Sequence, residues 1–414
     1  MIMKRRLLIM ASLMLTLLSC SPKVYTKRSS AAKEYHPLAI AMWDFSWLER
    51  RWPGAGFEDW DQVLDEFKDL GYNAIRIEAY PQLIAADPDR EWVIEEVWNN
   101  QCWGSPDVNV VRVQPALNEF LAKCKERDIM VGLSSWYRKD TSHVERKIKT
   151  PEDLADIWIA TLKSIEEAGL LDVILYTDLC NEWPRNPFFR TVHPDARTWD
   201  APASQEWMRR SIEKIEEVYP DMPLTFSFDN IFFSKYDNYD AKTDYLDLFE
   251  HHVWMMKQNR WEFLKESKYT FNRFSAEGYK NLVKYGEAAY RAKPEYWNNI
   301  LINSIQELAE KSANLNKPLI TTECWAVVDY KDWPLLKWDW VMDLCEIGVK
   351  TSAATGQWVA IATSNFCEPQ FVGMWREKEW HRRMTTIIKE AKINPDLIQD
   401  PQNQKLFKRM KKTR

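Results

Sequence analysis

The chain has 414 residues, of which 45% are hydrophobic and 28% are charged, and its formal net charge is −5 at pH 7. Positive and negative residues are interspersed, which argues against a nucleic-acid-binding protein, since such a protein carries a basic patch. The seven cysteines form no CxxC pair and show no metal-ligand spacing, so disulfides are possible but not required.

The first 20 residues resemble a bacterial export signal. Basic residues at 4–6 precede an apolar run at 7–18 that is too short to span a bilayer. The run ends in "LLSC", which resembles a lipobox, where cleavage before the cysteine is followed by its lipidation. We expect residues 1–20 to be a lipoprotein-type signal and Cys20 to carry a lipid that anchors the exported protein to a membrane of the bacterial cell envelope. The alternative is an ordinary signal that leaves Cys20 free.

The segments at 21–36 and 391–414 differ in composition from the part between them. Residues 21–36 are polar and basic without periodicity, which predicts a flexible tether. Residues 391–414 are predicted to be a basic C-terminal tail. The remaining residues, 37–390, are expected to form one domain.

Helical stretches alternate with short apolar runs throughout 37–390. In "DQVLDEFKDLGYNAIRIEAYP" an amphipathic helix ends at Gly71, and a strand follows over Asn73–Glu78. A later helix begins at "TPED", where Thr150 is the predicted N-cap and Pro151 the first helical residue. The predicted strands, in chain order, lie in "PLAIAMW", "NAIRIE", "IMVGLS", "DVILYTDL", "PLTFSF", "DYLDLFEHHVW", "KPLITTE" and "TSAATGQW".

Eight short apolar runs separated by helices predict an α/β fold in which parallel strands close into a (β/α)8 TIM barrel. A domain of this length is within the range of a barrel with insertions. The alternative is a doubly wound open sheet, which usually has a glycine-rich first turn, and no GxGxxG is present. The long segment 254–317 is expected to hold an extra helix or a lid.

The carboxyl ends of barrel strands are where active sites form. At these positions the sequence places Glu182 after the fourth strand and Glu323 after the seventh, on opposite sides of the barrel mouth. Two carboxylates across a cavity are the groups that cleave glycosidic bonds. Glu182 lies in an apolar stretch that should raise its pKa, whereas Glu323 is expected to be held ionised by a nearby cation.

Arg76 is the predicted cation. In "NAIRIEA" the alternation of a strand directs Ile75 and Ile77 to the helices and Arg76 towards the mouth. A buried guanidinium needs a carboxylate partner, and a nucleophilic glutamate needs a cation. The alternative is an Arg76–Glu78 ion pair that only fills the barrel.

The sequence contains 22 tryptophans, and several fall at predicted strand ends. Flat aromatic faces stack on the apolar faces of sugar rings. Core packing explains any single tryptophan, but a ring of them around two glutamates predicts a sugar-binding cleft. The tryptophans at predicted strand ends are Trp43, Trp136, Trp183, Trp254, Trp325 and Trp358.

These motifs together resemble the clan A glycoside hydrolases, the superfamily of the family 5 cellulases and mannanases. "CNEWP" and "TTECW" carry the resemblance, which spans about residues 38–380 and is nearest to a cellulase-like lipoprotein barrel. The resemblance implies that Glu182 is the acid/base, Glu323 the nucleophile and Asn181 the contact to the sugar 2-hydroxyl. It further implies that Arg76, His252, Trp254 and Trp358 contact the substrate or its nucleophile, with His251 as the alternative to His252. The strand-end positions add Trp43, Asp44, Trp136 and Trp325 as predicted substrate-binding residues.

The predicted activity is retaining hydrolysis of β-glycosidic bonds in a poly- or oligosaccharide, without a metal or cofactor. A metal-dependent barrel hydrolase needs a metal-ligating His-x-His motif after the first strand, where the sequence has "MWDF" instead. A non-catalytic sugar-binding barrel and a transglycosylase remain alternatives. The sequence does not define the sugar, its linkage, or endo or exo action.

Overall fold

The computed structural model describes residues 35–96, 108–229, 243–269, 275–328, 330, 332 and 334–410. The predicted signal with Cys20, and all of the predicted tether except its last two residues, lie outside these ranges.

Short buried strands, all parallel, form a barrel at the centre of the described residues. Two of them are interrupted, β5 by Phe226 and β7 by Thr322 and Glu323. The strands are β1 Leu38–Asp44, β2 Ala74–Glu78, β3 Met130–Ser134, β4 Ile174–Asp178, β5 Leu224–Thr225 with Ser227–Asp229, β6 Phe249–Trp254, β7 Leu319–Thr321 with Cys324–Trp325, and β8 Trp358–Ala362.

Backbone pairing closes these strands into a ring. β1 pairs with β2 on one side and with β8 on the other, and β8 pairs with β7. The first part of β5 pairs with β4 and the second part with β6, so this strand changes partner at Phe226. The predicted (β/α)8 TIM barrel is therefore confirmed.

Helices separate the successive strands apart from β5 and β6, whose connection lies largely outside the described residues. The helix Pro151–Glu167 begins with the predicted N-cap: Thr150 accepts from the Asp153 amide, and Asp153 accepts from the Thr150 amide. The longer helices are Trp60–Asp69, Ala116–Glu126, Pro151–Glu167, Pro202–Glu216, Gln258–Glu266, Pro294–Leu315, Asp339–Thr355 and Lys378–Glu390. The shorter ones are Ser46–Glu49, Pro81–Ala86, Pro187–Val192, Ala276–Asn281, Glu287–Ala292, Val372–Trp375, Pro395–Gln399 and Gln404–Met410.

Two long connections between barrel strands contain additional secondary structure. The predicted extra helix between 254 and 317 is present, since Ala276–Asn281 and Glu287–Ala292 precede the long helix Pro294–Leu315. Between β2 and β3, the short strands Trp92–Ile94 and Asn109–Val111 pair antiparallel outside the barrel. No helix within the described ranges has the length and hydropathy needed to cross a membrane.

The eighth strand is displaced from its predicted position. "TSAAT" ends the helix Asp339–Thr355, which is capped by Gly356 in the left-handed region (φ 71°), and the strand runs over "WVAIA" instead. Trp358 is thus the first residue of β8 and not the last. It lies at the end of the barrel opposite the mouth.

The predicted C-terminal tail also differs. Residues 395–399 and 404–410 are helical, and Leu397, Leu406 and Phe407 are buried. The ring of Phe407 packs against Tyr35 with centroids 5.1 Å apart. The described part of this segment therefore belongs to the packed domain, because its apolar residues are buried whereas Lys408 remains exposed.

Candidate active site

Glu182 follows β4 and is fixed by the neighbouring strands. Its amide donates to Ser227 Oγ at 2.9 Å, and the amide of Asn181 donates to the Ser135 carbonyl at 3.0 Å. Glu182 has a positive φ of 50°, a conformation that costs energy in a non-glycine residue and is often found at functional sites. This backbone geometry places the carboxylate at the barrel mouth, where it is nearly buried.

Glu323 lies between the two parts of β7. Its carbonyl accepts from the Val253 amide at 3.0 Å, which ties it to β6. Its carboxylate accepts from Arg76 Nη2 at 2.7 Å. Arg76 is completely buried, so the predicted charge partner of Glu323 is present in the structure.

The two glutamates face each other across His252. A carboxylate oxygen of Glu182, one of Glu323 and a ring nitrogen of His252 all lie within 4.8 Å of one another. His252 Nδ1 is 3.1 Å from Glu182 Oε1 and 3.4 Å from Glu323 Oε2. The structure therefore brings together the two carboxylates that the sequence placed on different strands.

Arg76 is the centre of a charged network beneath Glu323. It donates to Asp44 at 2.7 Å, and its other terminal nitrogen lies 3.5 Å from Glu250. Asp44 in turn accepts from the indole N–H of Trp136 at 3.0 Å. A partly exposed tryptophan is thus held in place by the same network that orients Glu323.

Glu182 has cations of its own. Arg185 Nη1 donates to Glu182 Oε2 at 2.7 Å, and Arg185 Nη2 donates to Asp229 at 2.7 Å. Lys257 Nζ lies 2.5 Å from Asp229 and 3.7 Å from Glu182 Oε1. Because Asp229 and Lys257 are buried at the ends of β5 and β6, three neighbouring strands build this arrangement.

The charges give the two glutamates different proton affinities. Burial acts to raise the pKa of Glu182, but Arg185, Lys257 and His252 outweigh it and hold that pKa well below its usual range. For Glu323 burial is again the largest cause, and it raises the pKa to about 7 although His252 and Arg76 act to lower it. This is the reverse of the expectation from sequence, because the apolar residues beside Glu182 do not exclude Arg185.

The neighbouring carboxylates favour the protonated form of His252. Burial acts to lower its pKa, but Glu323, Glu250 and Glu182 raise it well above its usual range. Glu182, His252 and Glu323 have the spacing of a metal site. Arg76 already pairs with Glu323, however, and Arg185 and Lys257 lie against Glu182. The cations of the chain therefore take the places beside these carboxylates that a divalent cation would need.

Several predicted substrate-binding residues lie at the mouth. Asp44, Arg76 and His252 belong to the charged network, and Trp136 is partly exposed beside it. Asn181 Nδ2 and Trp254 Nε1 are buried polar atoms without a hydrogen-bond partner among the described residues. Such atoms are available to a ligand hydroxyl.

The structure does not bring Trp43, Trp325, Trp358 and His251 into this cleft. Trp43 packs between Phe57 and Phe67 on the helix side of β1. Trp325 donates to the Ala362 carbonyl and packs on Gly348 of the helix Asp339–Thr355.

Trp358 is excluded because it begins β8. His251 contacts the rings of Phe228 and Phe249, since alternate residues of β6 face opposite sides. The structure therefore gives these four residues no place at the cleft. For Trp43, Trp325 and His251 the sequence located the strand end but not the side of the strand, whereas for Trp358 it misplaced the strand itself.

Sequence reasoning missed Glu250, Arg185 and Lys257. Glu250 was detectable, because it lies two residues before His252 on β6 and shares its face. Arg185 and Lys257 lie beyond the strand ends in a loop and a 3-10 turn. Their approach to Glu182 depends on loop conformation, for which the sequence carries no periodic signal.

Comparison with known proteins finds a matching family and similar folds. A family model described as "Sugar-binding cellulase-like" matches residues 40–389. A crystal structure from Parabacteroides distasonis ATCC 8503, described as a proposed glycoside hydrolase, shares 56% identity over 91% of this chain and 100% of that chain, with a TM-score of 0.88. The endo-β-1,4-mannanase of Thermotoga petrophila shares the fold, with a TM-score of 0.52 and 12% identity over 87% of this chain and 78% of that chain. No curated protein matches the chain significantly.

Proposed function

Because this chain belongs to the sugar-binding cellulase-like family, we propose that it is a retaining glycoside hydrolase that acts on β-linked poly- or oligosaccharides. The observation that carries the proposal is the proximity of the Glu182 and Glu323 carboxylates, which have oxygens within 4.8 Å of each other. Retaining enzymes hold their two carboxyl groups about 5–5.5 Å apart, whereas inverting enzymes need roughly 6.5–9.5 Å to admit a water.

Glu323 is the proposed nucleophile. Its ion pair with Arg76 at 2.7 Å orients one oxygen, and the ionised form attacks the anomeric carbon to give a covalent glycosyl-enzyme. Glu182 donates its proton to the leaving oxygen and then deprotonates the water that hydrolyses the intermediate. As Glu323 loses its negative charge in the first step, the pKa of Glu182 falls, which leaves Glu182 ionised to act as base in the second step.

A non-catalytic sugar-binding protein is the second candidate, and the contacts of Glu182 favour it. Arg185 and Lys257 stabilise the ionised carboxylate in the ligand-free protein, and an ionised carboxylate cannot protonate a leaving group. Turnover therefore requires that a bound ligand change this environment.

Two alanine variants decide between the candidates. Glu323→Ala should abolish turnover of every glycoside, because no covalent intermediate can form. Glu182→Ala should keep the first step for aryl glycosides whose phenolate leaves without a proton, and added azide should restore turnover with a β-glycosyl azide as product. Glu390→Ala, an exposed glutamate far from the mouth, should behave as wild type.

The assay is a panel of β-glucans, mannans, galactans and 4-nitrophenyl β-glycosides. Sugar binding without turnover of any of them would support the binding protein instead. A β-glycosyl azide from Glu323→Ala and an α-glycosyl azide from Glu182→Ala would mean that the two roles are reversed.

We also propose that the protein is a lipoprotein of the cell envelope, anchored through Cys20. The support is the sequence alone, since Cys20 lies outside the described residues. Cys20→Ser should move the full-length protein from the detergent-dependent membrane fraction to the soluble fraction or block its maturation. Unchanged membrane association would contradict the proposal.

A further inference from the structure

Two cations at the mouth have no role in the two-glutamate reaction itself. Arg185 joins Glu182 to Asp229 through separate guanidinium nitrogens, each at 2.7 Å. Lys257 approaches the same two carboxylates from β6, at 2.5 Å from Asp229 and 3.7 Å from Glu182. Two positive charges thus face two negative charges in the ligand-free protein.

This balance is lost when Glu182 carries the proton that it donates. Asp229 then stays the ionised carboxylate in contact with both cations, and Glu323 acts on Arg185 without such a contact. Loss of one of its two hydrogen-bonded carboxylates weakens the compensation of the Arg185 charge in a largely buried site, and the cost falls on the protonated state of Glu182 that the reaction needs. A second anion beside Arg185 would remove the imbalance.

Arg185 is the member of the pair that a ligand can reach. Its side chain is 33% exposed, whereas that of Lys257 is 6% exposed. The acid/base touches the glycosidic oxygen, so the sugar that leaves with this oxygen lies on the Glu182 side of the cleft. Arg185 pairs with Glu182 and Asp229 on that side, while Arg76 and Asp44 surround Glu323.

We propose that Arg185, supported by Lys257, binds an acidic group on the leaving-group part of the substrate, so that the natural substrate is an anionic glycan. The group is a carboxylate, as in a uronic acid, or a sulfate ester. The inference rests on the proposed function, because it assigns the leaving group to the Glu182 side.

The anion also prepares Glu182 for its role. It accepts the Arg185 hydrogen bonds that Glu182 holds in the ligand-free protein, which frees the carboxyl group. Negative charge added beside a carboxyl favours its protonated form. The groups that then face Glu182 are Lys257, His252 and Glu323, in addition to Arg185 and its new partner. Substrate binding and proton retention are therefore coupled through one guanidinium.

Matched aryl β-glycosides test the inference. Phenyl, 3-carboxyphenyl and 3-sulfophenyl glycosides carry the same sugar and differ in the charge of the leaving group, so the two anionic arms separate the carboxylate from the sulfate source. Both kcat/KM and Kd are measured for wild type, Arg185→Gln, Arg185→Lys and Arg197→Gln. Arg197 is an exposed arginine that follows the helix Pro187–Val192, and its guanidinium donates to a backbone carbonyl. Its variant is the charge-matched control.

For the wild type and Arg197→Gln, at least one anionic glycoside should be favoured over the phenyl glycoside by roughly 10-fold or more, as expected for one charge-assisted hydrogen bond. Arg185→Gln should lose this preference, and Arg185→Lys should retain part of it. Equal preference in the wild type and Arg185→Gln would overturn the inference, provided that both have the same melting temperature.

The two proposals fail in different ways. If no glycoside of any kind is turned over, the hydrolase is refuted, and the Kd values alone decide whether Arg185 binds an anion. If the phenyl glycosides are turned over but anionic leaving groups bring no gain in kcat/KM or Kd, the hydrolase stands and the anionic substrate is refuted.

Discussion

Arg76 shows at the scale of single residues how this site is organised. It contacts Asp44 and Glu323 at 2.7 Å each, and Asp44 accepts from the indole of Trp136 at 3.0 Å. Asp44 itself has a positive φ of 34°, so the backbone bears strain where the network needs its carboxylate. The network links the attacking group to the aromatic face that is open to a ligand.

Trp136→Ala should therefore cost more free energy of sugar binding than free energy of unfolding. Trp136 is partly exposed, and truncation of a tryptophan at the centre of a binding site costs roughly 2 kcal/mol, or about 30-fold in Kd. The measurement is calorimetric titration with the oligosaccharide that binds best in the substrate panel.

Trp358→Phe is the matched control for this experiment, because Trp358 is buried at the opposite end of the barrel. It should lower the melting temperature slightly and leave Kd unchanged. Weaker binding in Trp358→Phe than in Trp136→Ala would contradict the placement of the cleft.

At the scale of elements, β6 explains both the success and the failure of prediction from sequence. Alternation along a strand puts Glu250, His252 and Trp254 on the cleft side and His251 against Phe228. The pattern was readable, but assigning the faces required knowledge of which side met the helices. Arg76 could be assigned, because isoleucines flank it and define the helix side.

The start of β8 was not predictable from hydrophobic periodicity alone. Threonine, serine and alanine in "TSAATGQW" carry little periodicity, and the prediction placed the strand there. Gly356 was the available signal, since a glycine after an apolar helix is the usual left-handed cap. The run "WVAIA" that follows the cap is the strand. One missed helix end therefore moved Trp358 from the mouth to the opposite end.

We expect the helix Gln404–Met410 to unfold together with the barrel. Phe407 is fully buried and packs edge-on against Tyr35, while Arg409 donates to the carbonyls of Leu171 and Ile174. Phe407→Ala should destabilise the protein by about 3–5 kcal/mol through the cavity it leaves. Urea unfolding measures this loss.

Lys408→Ala is the control, because Lys408 is exposed on the same helix. It should change the free energy of unfolding by less than about 0.5 kcal/mol. If Phe407→Ala were as mild as Lys408→Ala, the C-terminal helix would not be packed on the barrel in solution.

At the scale of the whole molecule, the described part of the barrel holds acidic groups whose pKa values are raised by burial. Burial is the largest influence on Glu78 and Glu368 and raises the pKa of each to about 8, while Asp178 is raised to about 6. These carboxyls line the ends of strands around a site that also contains ionised partners such as Glu250. The fold therefore gains stability from some protonated acids and from some ionised ones, and its pH dependence is the sum of opposite contributions.

Glu78 isolates one of these contributions. Its pKa is raised from 4.5 to about 8 by burial, although Ser135 and the amides of Trp136 and Tyr80 act to lower it. A carboxyl whose pKa is higher in the folded than in the unfolded state stabilises the fold fully below the unfolded pKa. That stabilisation, on the order of a few kcal/mol, is lost as the pH rises from about 4.5 to about 8.

Glu78→Gln replaces the protonated acid with a neutral group of the same shape, so its stability cannot depend on this ionisation. We expect the free energy of unfolding of wild type relative to Glu78→Gln to fall steadily between pH 5 and pH 8, whatever the offset at pH 5. Urea denaturation at half-unit pH steps measures the difference. The control is Glu390→Gln at an exposed position, and the free energy of unfolding of wild type relative to this variant should stay constant over the same pH range. A difference between wild type and Glu78→Gln that stayed constant or grew with pH would show that Glu78 is ionised in the folded protein, and that the hydrogen bonds from Ser135 and the two amides outweigh its burial.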